Sequence, residues 1–267
     1  NKFRKLQFLL DTPSHNYRRI ISYGGNQSNA MASIAALCKR KGWKFLYITK
    51  ALSLTLKQHV GGNLKAALGD GMELLEIPHD EYREVVESLY SPTYDKRVQN
   101  HEGDLVLAQG GADLGAKEGI ERLAEEIRVW QLEKSIEKLT VVTPSGTGTT
   151  AYFLALSLPG VTVITTPLIG SKEYLEEQMQ YLGVLPDNLT TVETEKKYRF
   201  GKVYSEYKRV YEALLEQGIE MDLLYAPKML IALSEALENI EGEILYVHSG
   251  GVKGNSSMLE RYRYKGL

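Results

Sequence analysis

Short apolar, β-branched segments of strand length alternate along the chain with longer segments whose apolar residues recur at helical spacing. Arg19-Ile20-Ile21-Ser22-Tyr23 places β-branched residues at its centre and predicts a short strand. A glycine pair follows, and then a helical stretch over 29–41. Strands are predicted over 44–48, 71–77 and 103–108. Residues 117–132 carry Ile120, Leu123, Ile127 and Trp130 at helical spacing, and predict a long amphipathic helix. Strand and helix then alternate again. The strands are 139–143, 161–165 and 243–248; the helices are 149–158, 171–182, 203–217 and one launched by Pro227 that runs to residue 237. Such alternation implies an α/β chain with open parallel sheets covered on both faces. Ligands in such folds sit beyond the carboxyl ends of the strands. The polar stretch 91–102 predicts a surface loop or the edge of a subdomain.

Composition narrows the class without naming it. The 267 residues carry 32 basic and 34 acidic side chains, a net charge of −2. That balance gives no basic face for nucleic acid or an anionic membrane. The longest apolar run, 161–169, is strand-sized and cannot span a bilayer. Cys38 is the only cysteine and sits in Ala35-Ala36-Leu37-Cys38, which predicts a buried thiol and a cytoplasmic setting. The five histidines are scattered, so no zinc site is expected. The chain opens on Asn1-Lys2-Phe3 without a methionine, and residues preceding it are expected to be missing.

Three predicted strands end in the same chemistry. The turns are Gly24-Gly25-Asn26-Gln27-Ser28-Asn29, Ser145-Gly146-Thr147-Gly148-Thr149-Thr150 and Ser249-Gly250-Gly251. Glycines let backbone N–H groups approach a ligand, and a following helix start leaves its first donors unpaired. Hydroxyl side chains complete an anion cradle. The second turn also satisfies the dinucleotide pattern through Gly146, Gly148 and Ala151. That pattern asks for an acidic residue at the end of the next strand, where Val163-Ile164-Thr165-Thr166-Pro167 offers none. A compact phosphate monoester suits the turn better, and pyridoxal phosphate (PLP) carries one.

At these residues the sequence resembles the PLP enzymes of the D-cysteine desulfhydrase and 1-aminocyclopropane-1-carboxylate (ACC) deaminase family. Asn1-Lys2-Phe3-Arg4-Lys5-Leu6 resembles its lysine segment and Gly24-Gly25-Asn26-Gln27-Ser28-Asn29 its G-G-x-Q-S-N. Residues 145–150 resemble its phosphate cup, Leu224-Tyr225-Ala226-Pro227-Lys228 its tyrosine segment, and His248-Ser249-Gly250-Gly251 its H-x-G-G. The resemblance implies a tryptophan-synthase-β-like fold with a smaller domain over 5–108 and a larger one over 109–267 together with 1–4. It implies a homodimer acting on a small amino acid. Lys2 would carry PLP as a Schiff base and act as base at Cα, a role that needs its amine unprotonated. Lys5 is a candidate phosphate ligand or else a surface lysine on the opening helix. Ser145, Gly146, Thr147, Gly148, Thr149 and Thr150 would hold the phosphate, and Ser249 would face the pyridine nitrogen. Gln27, Ser28 and Asn29 would meet the substrate carboxylate, with Ser28 also catalytic and Asn29 near the ring oxygen. Tyr225 would be the second acid or base, and Tyr204 a second active-site tyrosine.

Two departures give direction. ACC-deaminase members place a glutamate after the tyrosine; here that residue is Ala226, and Ser249 supplies a hydroxyl, as in desulfhydrase-like members. A weaker electron sink suits α,β-elimination, in which the group leaving from Cβ takes the electron pair. Ala30 after Asn29 also departs from the cyclopropane pattern. The expected reaction is elimination on D-cysteine to pyruvate, ammonia and sulfide. ACC deamination is the alternative within the family; a nicotinamide-dependent dehydrogenase or a non-catalytic amino-acid or PLP-binding protein are the alternatives outside it.

Overall fold

The computed structural model describes residues 2–91, 95–98 and 101–267. Asn1, the first residue of the lysine segment, lies outside the described residues, as do 92–94 and 99–100 of the expected loop. The chain divides into two compact units: Lys2 with Phe8–Gly111, and Phe3–Gln7 with Ala112–Leu267. It opens on one helical turn, α1 (Lys2–Lys5), and a short helix, α2 (Gln7–Asp11).

The smaller unit runs β1 (Arg19–Tyr23), α3 (Asn29–Lys41), β2 (Lys44–Lys50), α4 (Leu54–Gln58), α5 (Gly62–Gly69), β3 (Met72–Ile77), α6 (Tyr82–Ser88) and β4 (Asp104–Leu107). Its strands are parallel in the order β3-β2-β1-β4. The bounds of α3 follow from its termini. Ser28 Oγ accepts from the Met31 N–H at 3.3 Å, and Gly42 closes the helix with φ 74°. Ile21, Leu46, Ile48, Ile77, Val85 and Leu89 form a core on one face of the sheet. Cys38 is buried on α3, and burial pushes its thiol up to about 12, so it is inert.

The larger unit runs α7 (Ala116–Glu133), β5 (Leu139–Ser145), α8 (Thr149–Ser157), β6 (Thr162–Pro167), α9 (Lys172–Gln180), β7 (Leu189–Thr191), α10 (Ser205–Glu216), α11 (Ala226–Ala236), β8 (Glu243–Tyr246) and α12 (Asn255–Tyr264). Its strands are again parallel, in the order β7-β6-β5-β8. Every residue of β5 is buried, as a central parallel strand covered on both faces requires. The apolar stripe read on α7 packs through Ile120, Ala124 and Ile127 into a core with Val141, Phe153, Leu175 and Met179.

Strand order gives each sheet a switch point. In the smaller unit the chain steps outward from β1 through β2 to β3, and then returns to the other side of β1 as β4. In the larger unit it steps from β5 through β6 to β7 and returns beside β5 as β8. The crevice outside the strand ends at such a reversal is where open α/β sheets bind ligands. Residues 24–29 follow β1, residues 145–150 follow β5, and residues 248–251 follow β8, so all three turns singled out in the sequence stand at switch points.

Residues 5–7, expected with the smaller domain, belong to the larger unit, while Lys2 and 109–111, expected with the larger domain, belong to the smaller. The cause is local: Gly119 on α7 lets the Arg4 carbonyl lie against the helix, and Arg4 pairs with Glu126 at 2.6 Å. A Cβ at Gly119 would overlap that carbonyl. Gly119→Ala is therefore expected to destabilise the protein by about 1–3 kcal/mol despite its better helix propensity, seen as a lower thermal midpoint. An unchanged or raised midpoint would show that α1 is not anchored there.

Candidate active site

The larger unit builds an anion cradle from the end of β5. Gly148 adopts φ 75°, and a Cβ there would run into Met179 and Leu175, so only glycine makes this turn. Gly148 is also the N-cap of α8 and has no side chain with which to cap it. The cap residue thus offers no side-chain acceptor to the start of α8, a helix buried from Thr149 to Ala155. The Thr147 and Thr149 hydroxyls meet at 3.0 Å, and Thr150 is buried beside them. Ser145 Oγ accepts from the Thr165 hydroxyl at 2.6 Å, which fixes the base of the cradle.

Tyr225 and Ser249 join this cradle. The Tyr225 hydroxyl lies 3.9 Å from where a Gly146 Cβ would stand, so its tip reaches the glycine turn. Burial, reinforced by the Asp222 charge, pushes the hydroxyl up to about 12, so Tyr225 holds its proton at neutral pH. Ser249 is buried and donates to the Pro144 carbonyl at 3.2 Å, which ties the third turn to the end of β5. Ala226 is fully buried at the start of α11.

Sequence reasoning missed the residue that holds these pieces. Asp222 is buried, and its carboxylate accepts from the backbone N–H groups of Leu224 at 2.9 Å, Tyr225 at 2.5 Å and Ala226 at 3.3 Å. It occupies the space a Cβ of Gly250 would need, and His248 Nε2 lies 3.6 Å away. Asp222 thus holds the turn that leads into α11, and the first N–H of that helix, while packing against the third turn. An acidic residue three before a helix-starting Tyr-Ala-Pro was the available signal. Lys228, also missed as a buried group, donates to the Pro167 carbonyl at the end of β6 at 2.5 Å, and burial lowers its pKa.

In the smaller unit the turn over residues 24–29 is held from α5. Gln27 donates to the Gly61 carbonyl at 3.2 Å and accepts from the Asn63 N–H at 3.0 Å, so both ends of its amide serve the turn itself. Asn63 Nδ2 donates to the Gln27 carbonyl at 3.0 Å and to Asn29 Oδ1 at 2.8 Å. Tyr47 donates to the Gly25 carbonyl at 3.1 Å. Ser28 and Asn29 begin α3, which is 13 residues long.

Lys5 is 4% exposed, so its reading as a surface lysine does not hold. Lys2 is half-buried, and the crowding around its amine lowers the pKa to about 8. Tyr204 packs its ring against Tyr198 and Tyr207, and its hydroxyl accepts from the Arg199 N–H at 2.8 Å. The aromatic of this segment that meets the Tyr225 ring is Phe200, edge-on at 5.9 Å. Among the described residues, no group of three His, Cys, Asp or Glu is placed to hold a metal, and no helix is long and apolar enough to cross a membrane.

Comparisons with known proteins agree with this architecture. No family model matches the chain. A Thermotoga maritima protein described as "Putative 1-aminocyclopropane-1-carboxylate deaminase" is 28% identical over 273 residues, spanning 95% of this chain and 84% of that protein. An ACC deaminase homologue of known structure superposes with TM-score 0.71 at 20% identity, over 97% of this chain and 83% of its own. The fold is that of the fold type II PLP enzymes. A bacterial threonine deaminase of known structure shares it with TM-score 0.65 at 14% identity, covering 94% of this chain and 82% of its own. A hydrogen sulfide-producing enzyme from Fusobacterium nucleatum shares it with TM-score 0.59 at 15% identity, covering 93% and 84%. The resemblance carried by the motifs is borne out by these similarities.

Two expectations follow from the geometry. Desolvation disfavours the Lys2 ammonium, so its free amine is gained as pH rises through about 8 and not near 10.5. Labelling of Lys2 by PLP, trapped with borohydride and read by peptide mass spectrometry, should rise about tenfold from pH 7 to 9 and then level off. A rise continuing beyond pH 10 would mark an ordinary solvated lysine. Removing the acceptor of these three backbone N–H groups in Asp222→Ala should lower stability by about 1–3 kcal/mol, measured as a reduced urea midpoint.

Proposed function

We propose that this chain is a PLP-dependent lyase that eliminates the β-substituent of a small amino acid, with D-cysteine as its substrate. The observation that carries the reading is the capless, buried start of α8 behind the Gly146–Gly148 turn, with the Tyr225 hydroxyl at its edge. This cradle fits a phosphate monoester: its donors are backbone N–H groups and threonine hydroxyls, and no carboxylate stands among residues 145–150. The sequence also supplies a lysine with a lowered pKa and a tyrosine with a raised one, which are the two titrations a proton-shuttling PLP site needs.

In this reading residues 145–150 and Lys5 would hold the phosphate, Ser249 would serve the pyridine nitrogen and Lys2 would anchor the carbonyl carbon. The bound cofactor would supply a sink for the electron pair released at Cα. Ser28 and Asn29 bind the substrate carboxylate and orient the Cα–H bond. Lys2, once free, takes the Cα proton. Tyr225 keeps its hydroxyl proton at neutral pH and donates it to the sulfur as the Cβ–S bond breaks. Water then releases ammonia, and the balance is D-cysteine plus water to pyruvate, ammonia and sulfide. Ala226 has no polar group to offer the ring nitrogen, which favours elimination over opening of a cyclopropane.

ACC deamination is the second reading, and the description of the Thermotoga maritima relative favours it. A panel of D- and L-amino acids and ACC, assayed for 2-oxo acid and for sulfide, separates the two. Sulfide with pyruvate from D-cysteine is the expected result; 2-oxobutanoate from ACC alone would overturn the substrate. Lys2→Ala is expected to lower turnover at least a thousandfold, about 4 kcal/mol of barrier. Turnover retained in that variant, or no PLP absorbance band in the full chain, would end the proposal at its first step.

A further inference from the structure

We propose that Asp222 is a positioning residue for the proton donor of the reaction, fixing where the Tyr225 hydroxyl stands at the Gly146 turn. The inference rests on the reading of Tyr225 as the acid that meets the departing sulfur, and it names what holds that acid in place. A tyrosine inside a helix is placed by the helix, but Tyr225 stands one residue before α11, where no intrahelical bond reaches its N–H. The ring beside it is Phe200, edge-on at 5.9 Å and itself exposed. Such a neighbour limits how the phenol tilts and not how far it reaches. The reach is set by the backbone. Asp222 Oδ1 accepts from the Leu224 N–H at 2.9 Å and from the Tyr225 N–H at 2.5 Å, and Oδ2 accepts from the Ala226 N–H at 3.3 Å. Hydrogen bonds to an ionised acceptor are about twice as strong as neutral ones, and three to one carboxylate leave the turn a single arrangement.

The carboxylate is held in its turn. Asp222 is buried and fills the place of a Gly250 Cβ, so the third turn closes against it. From α12 the buried Asn255 Oδ1 accepts from the Leu223 N–H at 3.0 Å. The Asn255 amide cannot turn over, because its Nδ2 donates at 3.0 Å to the Met221 carbonyl, which is an acceptor in every state. Four consecutive backbone N–H groups, from Leu223 to Ala226, are thus each bonded to an oxygen of one of two buried side chains. One capping bond is enough to begin an ordinary helix. Four directed bonds are the arrangement expected where a side chain must stand at a fixed distance from a reacting atom, since misplacement by about 1 Å can slow a reaction about a hundredfold.

The leaving group separates a positioning role from a merely structural one. As the Cα–H electron pair moves into the Cα=Cβ bond, the Cβ–S pair departs on sulfur, which takes the Tyr225 proton; Tyr225 regains one from water. Chloride departs with its electron pair and takes no proton. The test therefore compares D-cysteine with β-chloro-D-alanine on the PLP-loaded full chain. Asp222→Ala is expected to lower kcat about thirtyfold on D-cysteine and less than about threefold on the chloride, with KM changed less than about threefold for both. Asp222→Asn keeps an oxygen for the Leu224 and Tyr225 N–H groups. It should lose about three- to fivefold on D-cysteine alone, and it decides the matter if the alanine variant does not fold. Tyr225→Phe should show the same discrimination at about a hundredfold, and adding Asp222→Asn to it should bring no further loss on D-cysteine. Hydrogen exchange of the loaded chain without substrate, its tyrosine amides labelled with heavy nitrogen, gives a readout apart from turnover. The amide that vanishes in Tyr225→Phe should exchange at least about threefold faster in the Asp222 variants than in the wild type. Equal losses on both substrates in the Asp222 variants, no loss on either, unchanged exchange at that amide, or full additivity in the double variant overturns the positioning role. A Tyr225→Phe variant that treats both substrates alike overturns instead the acid reading on which the inference rests.

Discussion

A buried parallel strand that turns into a buried helix cannot satisfy its own backbone, and the larger unit is organised around that constraint. β5 is buried along its whole length, and α8 is buried from its first residue to Ala155. Between them Gly148 must turn with φ 75° in a space that Met179 already fills. No side chain larger than hydrogen fits, so no side chain is available at the cap to meet the start of α8. The rest is fitted to this point. The Tyr225 tip stands at Gly146, Asp222 fixes the Tyr225 backbone, and Gly250 is a glycine because Asp222 occupies the place of its Cβ. The buried charge of Asp222 is in turn met by the donors at the start of α11. One glycine-capped helix start thus draws together residues more than a hundred positions apart in the sequence.

Periodicity made most of the framework legible. β1 and α3 fall on 19–23 and 29–41 as read, because Ser28 and Gly42 mark the helix termini with their own chemistry. β7, three residues at a sheet edge, and α5, which begins on a glycine and is rich in alanine, carry too little contrast to register. Strand order was not legible, since periodicity says which face of a strand is buried and not which strand lies beside it. The value of the three glycine turns came from that order: each follows a strand at a switch point.

The site was legible where its chemistry is local and illegible where it depends on distant partners. Residues 145–150 announce an anion cradle in six consecutive letters. Asn63 lies 34 positions from Asn29 and Asp222 lies 28 before Gly250, so neither could be linked to a turn from spacing. Phe200 and Tyr204 sit in one short segment, and only packing shows that Phe200 is the ring against Tyr225. Gln27 illustrates the converse: its letter belongs to a ligand-binding pattern, while its amide is bound at both ends by the start of α5.

The turn over residues 24–29 contains no charged side chain. In the proposed reading its anion-binding capacity would come from neutral donors: the start of α3, the Ser28 hydroxyl and the NH2 of the Asn29 amide. Neutral donors bind a carboxylate less tightly than an arginine fork does, and they depend far more on direction. An enzyme that must release its product gains little from holding substrate and product tightly alike. It gains from a donor whose angle to the substrate does not vary from one turnover to the next. In the proposed reading the hydrogen bonds between Gln27 and the start of α5 would serve the function of the turn as much as its folding, because they supply in rigidity what the neutral donors lack in charge.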